Sequence, residues 1–310
     1  MNKQSLFTPK SWLAFEMNVL RRQQFRSIAI PFTGNPTLGR HLKHGDIRVL
    51  ANDTLQSAWT RSLASIQNNN ENLTDEDVNI VLEDVYIPAN KLKNASLRKW
   101  FSETDSWWFD NTRSNLDRLQ SPFAFAIAAS LILAVGDYVL SFNEDTRELR
   151  QPLSNVFRRL WTTLPEPYNN RQNNGCQNKQ PDDFIAETAA DLMFLRLPSA
   201  GNGGPTSIID KGVWREEWLR GGDEFWPDFE AARHGRLGGP AETKSQYLKV
   251  LSEALAKATH IGTWAVAHVE GGLVSTQEIV NTIGGIRRVE AVFTKDFSEL
   301  TGNRAVIITA

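Results

Sequence analysis

The order of secondary structure in this chain is set by the sequence SIAIPFTGNPTLGRHLKHGDIRVLAND, which spans residues 27–53. It begins with a short apolar run, and the segment from Thr33 to Gly39 is rich in the turn formers Gly, Asn and Pro. A helical segment follows, and a second apolar run from Ile47 to Ala51 ends at Asn52 and Asp53. Strand, glycine turn, helix, strand and acid are the first half of a doubly wound nucleotide-binding sheet.

Further apolar runs extend this α/β pattern along the chain. We expect helices on both faces of the sheet and a closing β-hairpin made by residues 289–293 and 305–309. The other strands are expected at Asn79 to Val85, Asp191 to Leu195 and Thr263 to His268. The sequence therefore predicts an α/β fold with a doubly wound, Rossmann-like sheet.

Two segments interrupt the regular pattern. Residues 169–182 contain five asparagines and three glutamines, which predicts a surface loop. Residues 200–241 contain nine glycines and three prolines, which predicts a loop-rich insertion. We expect the insertion to carry its own small aromatic cluster, made of Trp214, Trp218, Phe225, Trp226 and Phe229.

Composition excludes several classes of protein. The 310 residues include 34 basic and 36 acidic side chains, a net charge of −2, so bulk charge does not hold nucleic acid. The single cysteine, Cys176, excludes an internal disulfide and a multi-cysteine metal site, and it fits a reducing cytoplasm. His41 and His44 with Asp46 fit a solvated helix face better than a metal site, so no metal is expected.

The N-terminal sequence lacks the unbroken apolar stretch of a signal peptide. The longest apolar segment, Phe123 to Val135, is too short for a membrane span and is interpreted as a buried core helix. We therefore expect a cytoplasmic protein without membrane contact.

The residues at the ends of the first two strands suit a nucleotide. Gly34 allows a tight turn, the next helix offers free N–H groups, and Asp53 can accept hydrogen bonds from two ribose hydroxyls. The alternative is an ordinary strand-to-helix turn with a solvated aspartate.

From Phe7 to Ala310 the order of segments resembles the DNA adenine methyltransferases that use S-adenosylmethionine. In this group a Phe-x-Gly-x-Gly methyl-donor loop precedes a catalytic Asp-Pro-Pro-Tyr tetrapeptide. IAIPFTGNPTLGRHLK stands at the donor loop, VLANDT at the ribose acid, and DDFIAETAADLMFLRLPS at the Asp-Phe pair, strand and tetrapeptide. THIGTWAVAHVEGGLVSTQEIV and GNRAVIITA resemble the later strand, loop, helix and terminal strand.

The resemblance implies which residues would hold the donor. They are Lys10, Phe32, Thr33, Gly34, Asn52, Asp53, Asp183 and Phe184. For Phe184, packing in the core is the favoured alternative. Pro36 replaces the second glycine of the donor loop and removes an N–H, so the sequence leaves open whether S-adenosylmethionine still binds.

The catalytic tetrapeptide is replaced by Arg196, Leu197, Pro198 and Ser199. In the family, a flipped adenine donates its amine to the aspartate and stacks on the tyrosine. Arginine has no acceptor and its charge opposes the charge that develops on the amine, and serine has no ring. The resemblance therefore implies a degenerate member without methyl transfer.

Local charge allows DNA binding on one face. Residues 1–62 carry nine basic and three acidic side chains, and the insertion holds Arg215, Arg220, Arg233 and Arg236, which are the candidate DNA contacts. The alternative is that these arginines cover a small aromatic core.

The preferred hypothesis is a pseudoenzyme subunit that binds DNA, a protein partner, or both, in a restriction, modification or mobile-element system whose active partner supplies the chemistry. One alternative is an active enzyme in which Arg196 turns aside and Asp191 or Asp210 substitutes. Another is a sensor or scaffold that binds the cofactor. The corresponding segments are 1–66 (first half of the donor site), 67–190 (helical cover), 191–199 (degenerate strand), 200–241 (insertion) and 242–310 (C-terminal core).

Overall fold

Seven strands form one mixed sheet in the computed structural model, which describes residues 12–143, 145–198, 212–270, 272–301 and 303–310. The strands are β1 (Ser27–Ile30), β2 (Arg48–Asn52), β3 (Gly175–Gln177), β4 (Leu192–Arg196), β5 (Thr263–Glu270), β6 (Ala291–Phe297) and β7 (Asn303–Thr309). Their order across the sheet is β3-β2-β1-β4-β5-β7-β6. The first five in this order are parallel, and β7 is antiparallel to both β5 and β6. The predicted doubly wound sheet and C-terminal hairpin are confirmed.

Helices connect and cover these strands. The described helices are α1 (Trp12–Leu20), α2 (Thr37–His44), α3 (Gln56–Ser62), α4 (Asp75–Val81), α5 (Glu103–Leu116), α6 (Pro122–Val139), α7 (Leu153–Thr162), α8 (Pro181–Glu187), α9 (Val213–Arg220), α10 (Trp226–Arg233), α11 (Lys244–Lys257), α12 (Thr276–Gly284) and α13 (Ser298–Thr301). Helix α3 continues as a π-helical turn over Leu63–Gln67.

Both faces of the sheet are buried. Successive side chains of a strand point to opposite faces, so neighbouring residues of one strand pack in different apolar clusters. In β4, Leu192 and Phe194 belong to the apolar cluster that includes α1 and α2. Met193 and Leu195 belong to the opposite cluster, with residues of α8, α11 and α12. A near-continuous apolar strand with layers on both sides is typical of a doubly wound fold.

The reversal of strand order lies beside β1, which pairs with β2 on one side and with β4 on the other. Chain connections leave in opposite directions at this point, so a crevice opens at the carboxyl ends of the two strands. The loop after β1, the end of β2 and the end of β4 therefore meet at one edge of the sheet.

The third strand lies elsewhere than the sequence pattern suggested. Residues 79–85 were expected to be a strand, but α4 occupies Asp75–Val81 and begins with a capping box between Thr74 and Asp77. The strand beside β2 is Gly175–Gln177, inside the Asn-rich segment predicted to be a loop. Side-chain amides support this short edge strand, since Asn174 Oδ1 accepts from Val49 N and Gln67 Oε1 accepts from Cys176 N.

The prediction of a separate aromatic cluster in the insertion is wrong for two of its five members. Trp214 and Trp218 are fully buried in the helical core with residues of α5 and α6. The ring of Trp214 packs edge-on against Phe101 and Phe109, and Trp218 Nε1 donates to Phe109 O at 2.8 Å. Helix α9 is therefore part of the core.

Helix α6 is the one helix in the described part of the chain with the length and composition of a membrane span. Its 18 residues have a mean hydropathy of 1.8, but 61% of them are buried against the rest of the protein. The helix is longer than residues 123–135, so the prediction that this segment is too short for a membrane span is wrong. Its burial fits the predicted core helix.

Candidate functional site at the carboxyl edge of the sheet

The turn after β1 is tied directly to the acid after β2. Gly34 has a φ of 55°, which favours glycine, and its N–H donates to Asp53 Oδ2 at 2.7 Å. Asp53 Oδ1 accepts from Leu55 N at 2.9 Å. The Thr33 hydroxyl donates to the carbonyl of Asn52 at 2.9 Å. Four of the predicted donor-site residues thus lie together, as the local sequence pattern predicted.

Asp53 is buried, with 5% of its surface exposed. Burial raises the pKa of its carboxyl to about 6, although the N–H groups of Gly34 and Leu55 and the charge of Arg233 act in the opposite direction. The charge of Glu216 adds to the rise. Because the two backbone donors engage both carboxylate oxygens, Asp53 holds the two loops together.

Asn52 joins a third loop to this edge. Its Nδ2 donates to the carbonyl of Pro31 at 3.1 Å and to that of Lys179 at 3.0 Å, and its Oδ1 accepts from Lys179 N at 2.9 Å. The loop between β3 and α8 is thereby fixed beside the ends of β1 and β2. The side chain of Asn52 is fully used in these contacts and serves as a structural link.

Arg196, at the end of β4, stands where the resemblance places the catalytic aspartate. Its Nε lies 2.8 Å from Glu16 Oε1 and its Nη2 lies 2.9 Å from Glu16 Oε2. A third donor, Nη1, lies 3.2 Å from the carbonyl oxygen of Thr33. The guanidinium also lies 5.2 Å from the centre of the Phe194 ring. The side chain therefore turns toward α1 and the donor loop, and both are anchored to β4.

The two residues after Arg196 are held through their backbone atoms. Leu197 N donates to the carbonyl of Ala267 at 2.8 Å, which extends the pairing of β4 with β5. The carbonyl of Pro198 accepts from the hydroxyl of Tyr247 at 2.9 Å. Two predicted site residues, Lys10 and Ser199, lie outside the described residues.

Asp183 and Phe184 of α8 lie on different sides of their helix. Phe184 is 1% exposed and packs in the cluster that includes Met193 and Leu195, as its predicted core role requires. Asp183 is exposed, and its Oδ2 lies 2.9 Å from Arg236 Nη1.

The segment 233–238 of the insertion lies against this edge. Gly238 approaches the Phe32 ring so closely that a Cβ on it would lie 2.9 Å from Phe32 Cε1 and 3.8 Å from Pro198 Cγ. Leu237 is buried in the cluster that contains Phe184 and that Phe32 packs against. The segment therefore covers several of the predicted donor-site residues.

The four arginines predicted to contact DNA all have acidic neighbours within the protein. Arg215 is largely buried and pairs with Asp137, so its predicted exposure on a DNA-binding face is wrong. Arg220 Nε lies 3.2 Å from Glu216 Oε2. Arg233 interacts electrostatically with Asp53, and Arg236 pairs with Asp183.

Two functional contacts were missed in the sequence. Glu16, the partner of Arg196, is an acid on the apolar, buried face of α1. An acid in such a position signals a buried cation, and this signal was available in WLAFEMNVL. Glu216 lies in α9 and accepts from Gln56 N at 2.9 Å and Ser57 N at 2.7 Å, which caps α3. No local pattern reveals that contact, because 159 residues separate Ser57 from Glu216.

The proposed substitute acid Asp191 lies at the wrong edge of the sheet. Its Oδ2 accepts from Arg26 N at 2.8 Å and Ser27 N at 2.9 Å, at the amino ends of β4 and β1. The prediction that Asp191 replaces the catalytic acid is therefore wrong, and Asp210 lies outside the described residues.

Metal ligands are not clustered at this edge or elsewhere in the described residues, where no group of three or more His, Cys, Asp and Glu could hold a metal ion. The ring of His44 stacks on Tyr168 at 4.4 Å, and the Tyr168 hydroxyl donates to Asp46 Oδ1 at 3.2 Å. These side chains join α2 to the segment before β3.

Comparison of the sequence with protein-family models and with curated proteins found no match.

Proposed function

We propose that this protein is a non-catalytic relative of the S-adenosylmethionine-dependent DNA adenine methyltransferases, and that it binds DNA. The observation that carries the proposal is the ion pair of Arg196 with Glu16 at the end of β4. The methyl-transfer reaction requires an acceptor for the adenine amine at this place, and here the chain presents a cation that is already bound to its own carboxylate.

Glu16 does not restore the missing acceptor. Both of its oxygens are engaged by Arg196, and the side chain is 1% exposed. A positive charge that develops on an amine nitrogen would meet the guanidinium before the carboxylate, which disfavours the transition state. We therefore infer that the protein has the methyltransferase fold but does not catalyse methyl transfer.

The sheet supports a relationship with methyltransferases. Strands β3-β2-β1-β4-β5 follow the order of a doubly wound nucleotide-binding fold, and the antiparallel β7 is inserted between β5 and β6. This is the type of sheet that the resemblance to methyltransferases implies. Fold alone does not establish an activity, so the proposal rests on the site at the end of β4.

The surface of α10 supports DNA as the partner. Phe225, Trp226 and Phe229 are half-buried and pack on one another. The Arg220 guanidinium lies 4.6 Å from the centre of the Phe225 ring, and that of Arg233 lies 5.1 Å from the Phe229 ring. Rings flanked by guanidinium groups suit unstacked bases and the phosphates beside them.

Transfer of a labelled methyl group from S-adenosylmethionine to mixed-sequence DNA tests the absence of catalysis. We expect no incorporation by the unmodified protein, in parallel with a methyltransferase that keeps its Asp-Pro-Pro-Tyr sequence. Incorporation by the unmodified protein would contradict the proposal.

A mobility-shift titration on mixed-sequence duplex and single-stranded DNA tests binding. We expect affinity to fall steeply with salt and Trp226→Ala to weaken it about tenfold through lost stacking. Phe142→Ala is the matched control, since Phe142 is also partly buried but packs on Tyr138, away from α10. Absent or salt-insensitive binding would favour a scaffold that binds only protein.

In the cell we place this DNA-binding subunit in the cytoplasm, with an active protein partner of a restriction, modification or mobile-element system. The uneven charge of the chain and its single cysteine support this assignment. Co-purification of the tagged protein with a catalytic subunit would test it.

A further inference from the structure

The segment 233–238 pairs one arginine with Asp183 and brings a second close enough to Asp53 for their charges to interact. Burial raises the pKa of Asp53 and lowers the pKa of Arg233, and the charge of each side chain opposes the shift of the other, so the two are electrostatic neighbours. Three residues later, Arg236 Nη1 lies 2.9 Å from Asp183 Oδ2. The resemblance assigns Asp53 to the ribose of the donor and Asp183 to its adenine.

Apolar contacts seat the same segment between the arginines. Leu237 is 2% exposed and lies in the cluster that contains Phe184. Gly238 has a φ of 86° and lies against the Phe32 ring, where any side chain would collide. One short stretch of chain thus contacts Asp183 and Phe32 and packs in the cluster that contains Phe184.

The conformation of the segment is fixed from within. The guanidinium of Arg233 donates from Nη2 to the carbonyl of Gly238, which closes the segment on itself. Arg236 N donates to the carbonyl of Arg233 at 3.1 Å, and Gly239 N to the carbonyl of Arg236 at 3.0 Å. These bonds fix the backbone between Arg233 and Gly239.

We infer that residues 233–238 form an internal plug, which competes with adenosyl ligands for Asp53 and Asp183. The inference rests on the proposed function for the location of the donor site. An adenosyl ligand gains its ribose and adenine contacts only when Arg233 and Arg236 move away from the two acids. Binding of such a ligand therefore displaces the segment, and a displaced segment also presents two free arginines to solvent.

Isothermal titration with S-adenosylhomocysteine tests the competition. The variants are Arg233→Ala, Arg236→Ala and the double variant, and Arg98→Ala is the control because Arg98 forms a similar ion pair with Glu103 on the surface. We expect the double variant to bind about tenfold more tightly than the unmodified protein, since the ion pair of Arg236 with Asp183 and the attraction between the charges of Arg233 and Asp53 no longer have to be overcome. Each single variant should gain about threefold, and Arg98→Ala should gain nothing.

Hydrogen–deuterium exchange on the unmodified protein gives an independent measurement that does not depend on the folding of a variant. We expect the amides of residues 233–239 to exchange faster when S-adenosylhomocysteine is present at a millimolar concentration. Equal dissociation constants for the unmodified protein and the double variant would overturn the inference, as would unchanged exchange with ligand bound.

Failure of all variants to bind S-adenosylhomocysteine would also overturn it. That result leaves the proposed function standing, because methyl transfer and DNA binding are measured without this ligand. Methyl transfer by the unmodified protein would contradict the proposed function instead, while the competition would remain measurable.

Discussion

Arg196 and Glu16 form a two-point ion pair, with Nε 2.8 Å from Oε1 and Nη2 2.9 Å from Oε2, between the end of β4 and the buried face of α1. They are 180 residues apart in the chain. Burying the Glu16 carboxylate costs desolvation free energy, and its attraction to Arg196 offsets that cost. If Arg196 is removed, the buried carboxylate has no partner and the desolvation cost is no longer offset. The pair thus links three elements, since Arg196 also donates to Thr33 O.

Removal of the cation alone should destabilise the fold. We expect Arg196→Leu to lower the free energy of unfolding by about 3 kcal/mol, because Glu16 stays buried without its partner. The double variant Glu16→Leu with Arg196→Leu should recover most of this loss, because no charge is then buried. Urea unfolding followed by circular dichroism measures the three free energies.

The surface pair of Arg98 and Glu103 is the control for this cycle. Both side chains are more than half exposed, and Arg98→Leu should leave the free energy of unfolding nearly unchanged. Equal losses of unfolding free energy in the single variant Arg196→Leu and the double variant would contradict the prediction, because an unpaired Glu16 would then add no cost.

Asp53 should make the protein less stable as pH rises. Burial raises its folded-state pKa from 3.8 to about 6, so the folded protein binds this proton more tightly than the unfolded chain does. The contribution to stability is present below pH 4 and is lost as pH rises to about 6, and it amounts to about 2 to 3 kcal/mol.

Asp53→Asn removes this titration, so the difference in free energy of unfolding between the variant and the unmodified protein should change between pH 4 and pH 6 and stay constant above. The variant also differs from the unmodified protein by a constant free energy, because asparagine cannot accept both N–H donors of Gly34 and Leu55 in the same way. Only the change of the difference with pH tests the prediction. A difference that does not vary with pH would contradict the prediction.

His268 should act in the opposite direction over much of the same range. Burial lowers its folded-state pKa from 6.5 to about 4, so the unfolded chain binds the proton more tightly. Stability from this residue is present above pH 6.5 and is lost as pH falls toward 4, by about 3 kcal/mol. His268→Phe should therefore flatten the acid side of the stability curve in urea unfolding at a series of pH values. An unchanged acid limb in this variant would contradict the prediction.

The parts of the site that the sequence predicts correctly are local. Gly34 and Asp53 are 19 residues apart, and a strand, turn, helix and strand between them is enough to bring them together. Phe184 is correctly assigned to the core because it is a large apolar residue beside an apolar strand. Local patterns of this kind follow from strand and helix periodicity alone.

The parts that the sequence does not predict depend on distant residues. Strand β3 is short and polar, so no alternation of apolar residues indicates it in the sequence. The side chains of Asn174 and Gln67 accept hydrogen bonds from backbone N–H groups of β2 and β3. Helix α4 has an apolar stretch that also suits a strand, and only the capping box at Thr74 distinguishes the two. The places of Arg196 and Arg236 are set by Glu16 and Asp183, far away in the chain.

The docking of α9 on α6 predicts an unusually sensitive glycine. Gly136 lies beneath Trp214, and a Cβ on it would lie 2.1 Å from Trp214 Cη2. Because Trp214 is fully buried and also packs on Phe101 and Phe109, it cannot move aside without disturbing the core.

Gly136→Ala should therefore lower the free energy of unfolding by about 2 to 3 kcal/mol, measured by urea unfolding with tryptophan fluorescence. Gly284→Ala is the matched control, since Gly284 is also helical but a Cβ there meets open space. The control should be neutral or stabilising by up to about 1 kcal/mol, because alanine favours a helix over glycine. If Gly136→Ala is as stable as this control, Trp214 does not pack on α6, and α9 is not part of the helical core.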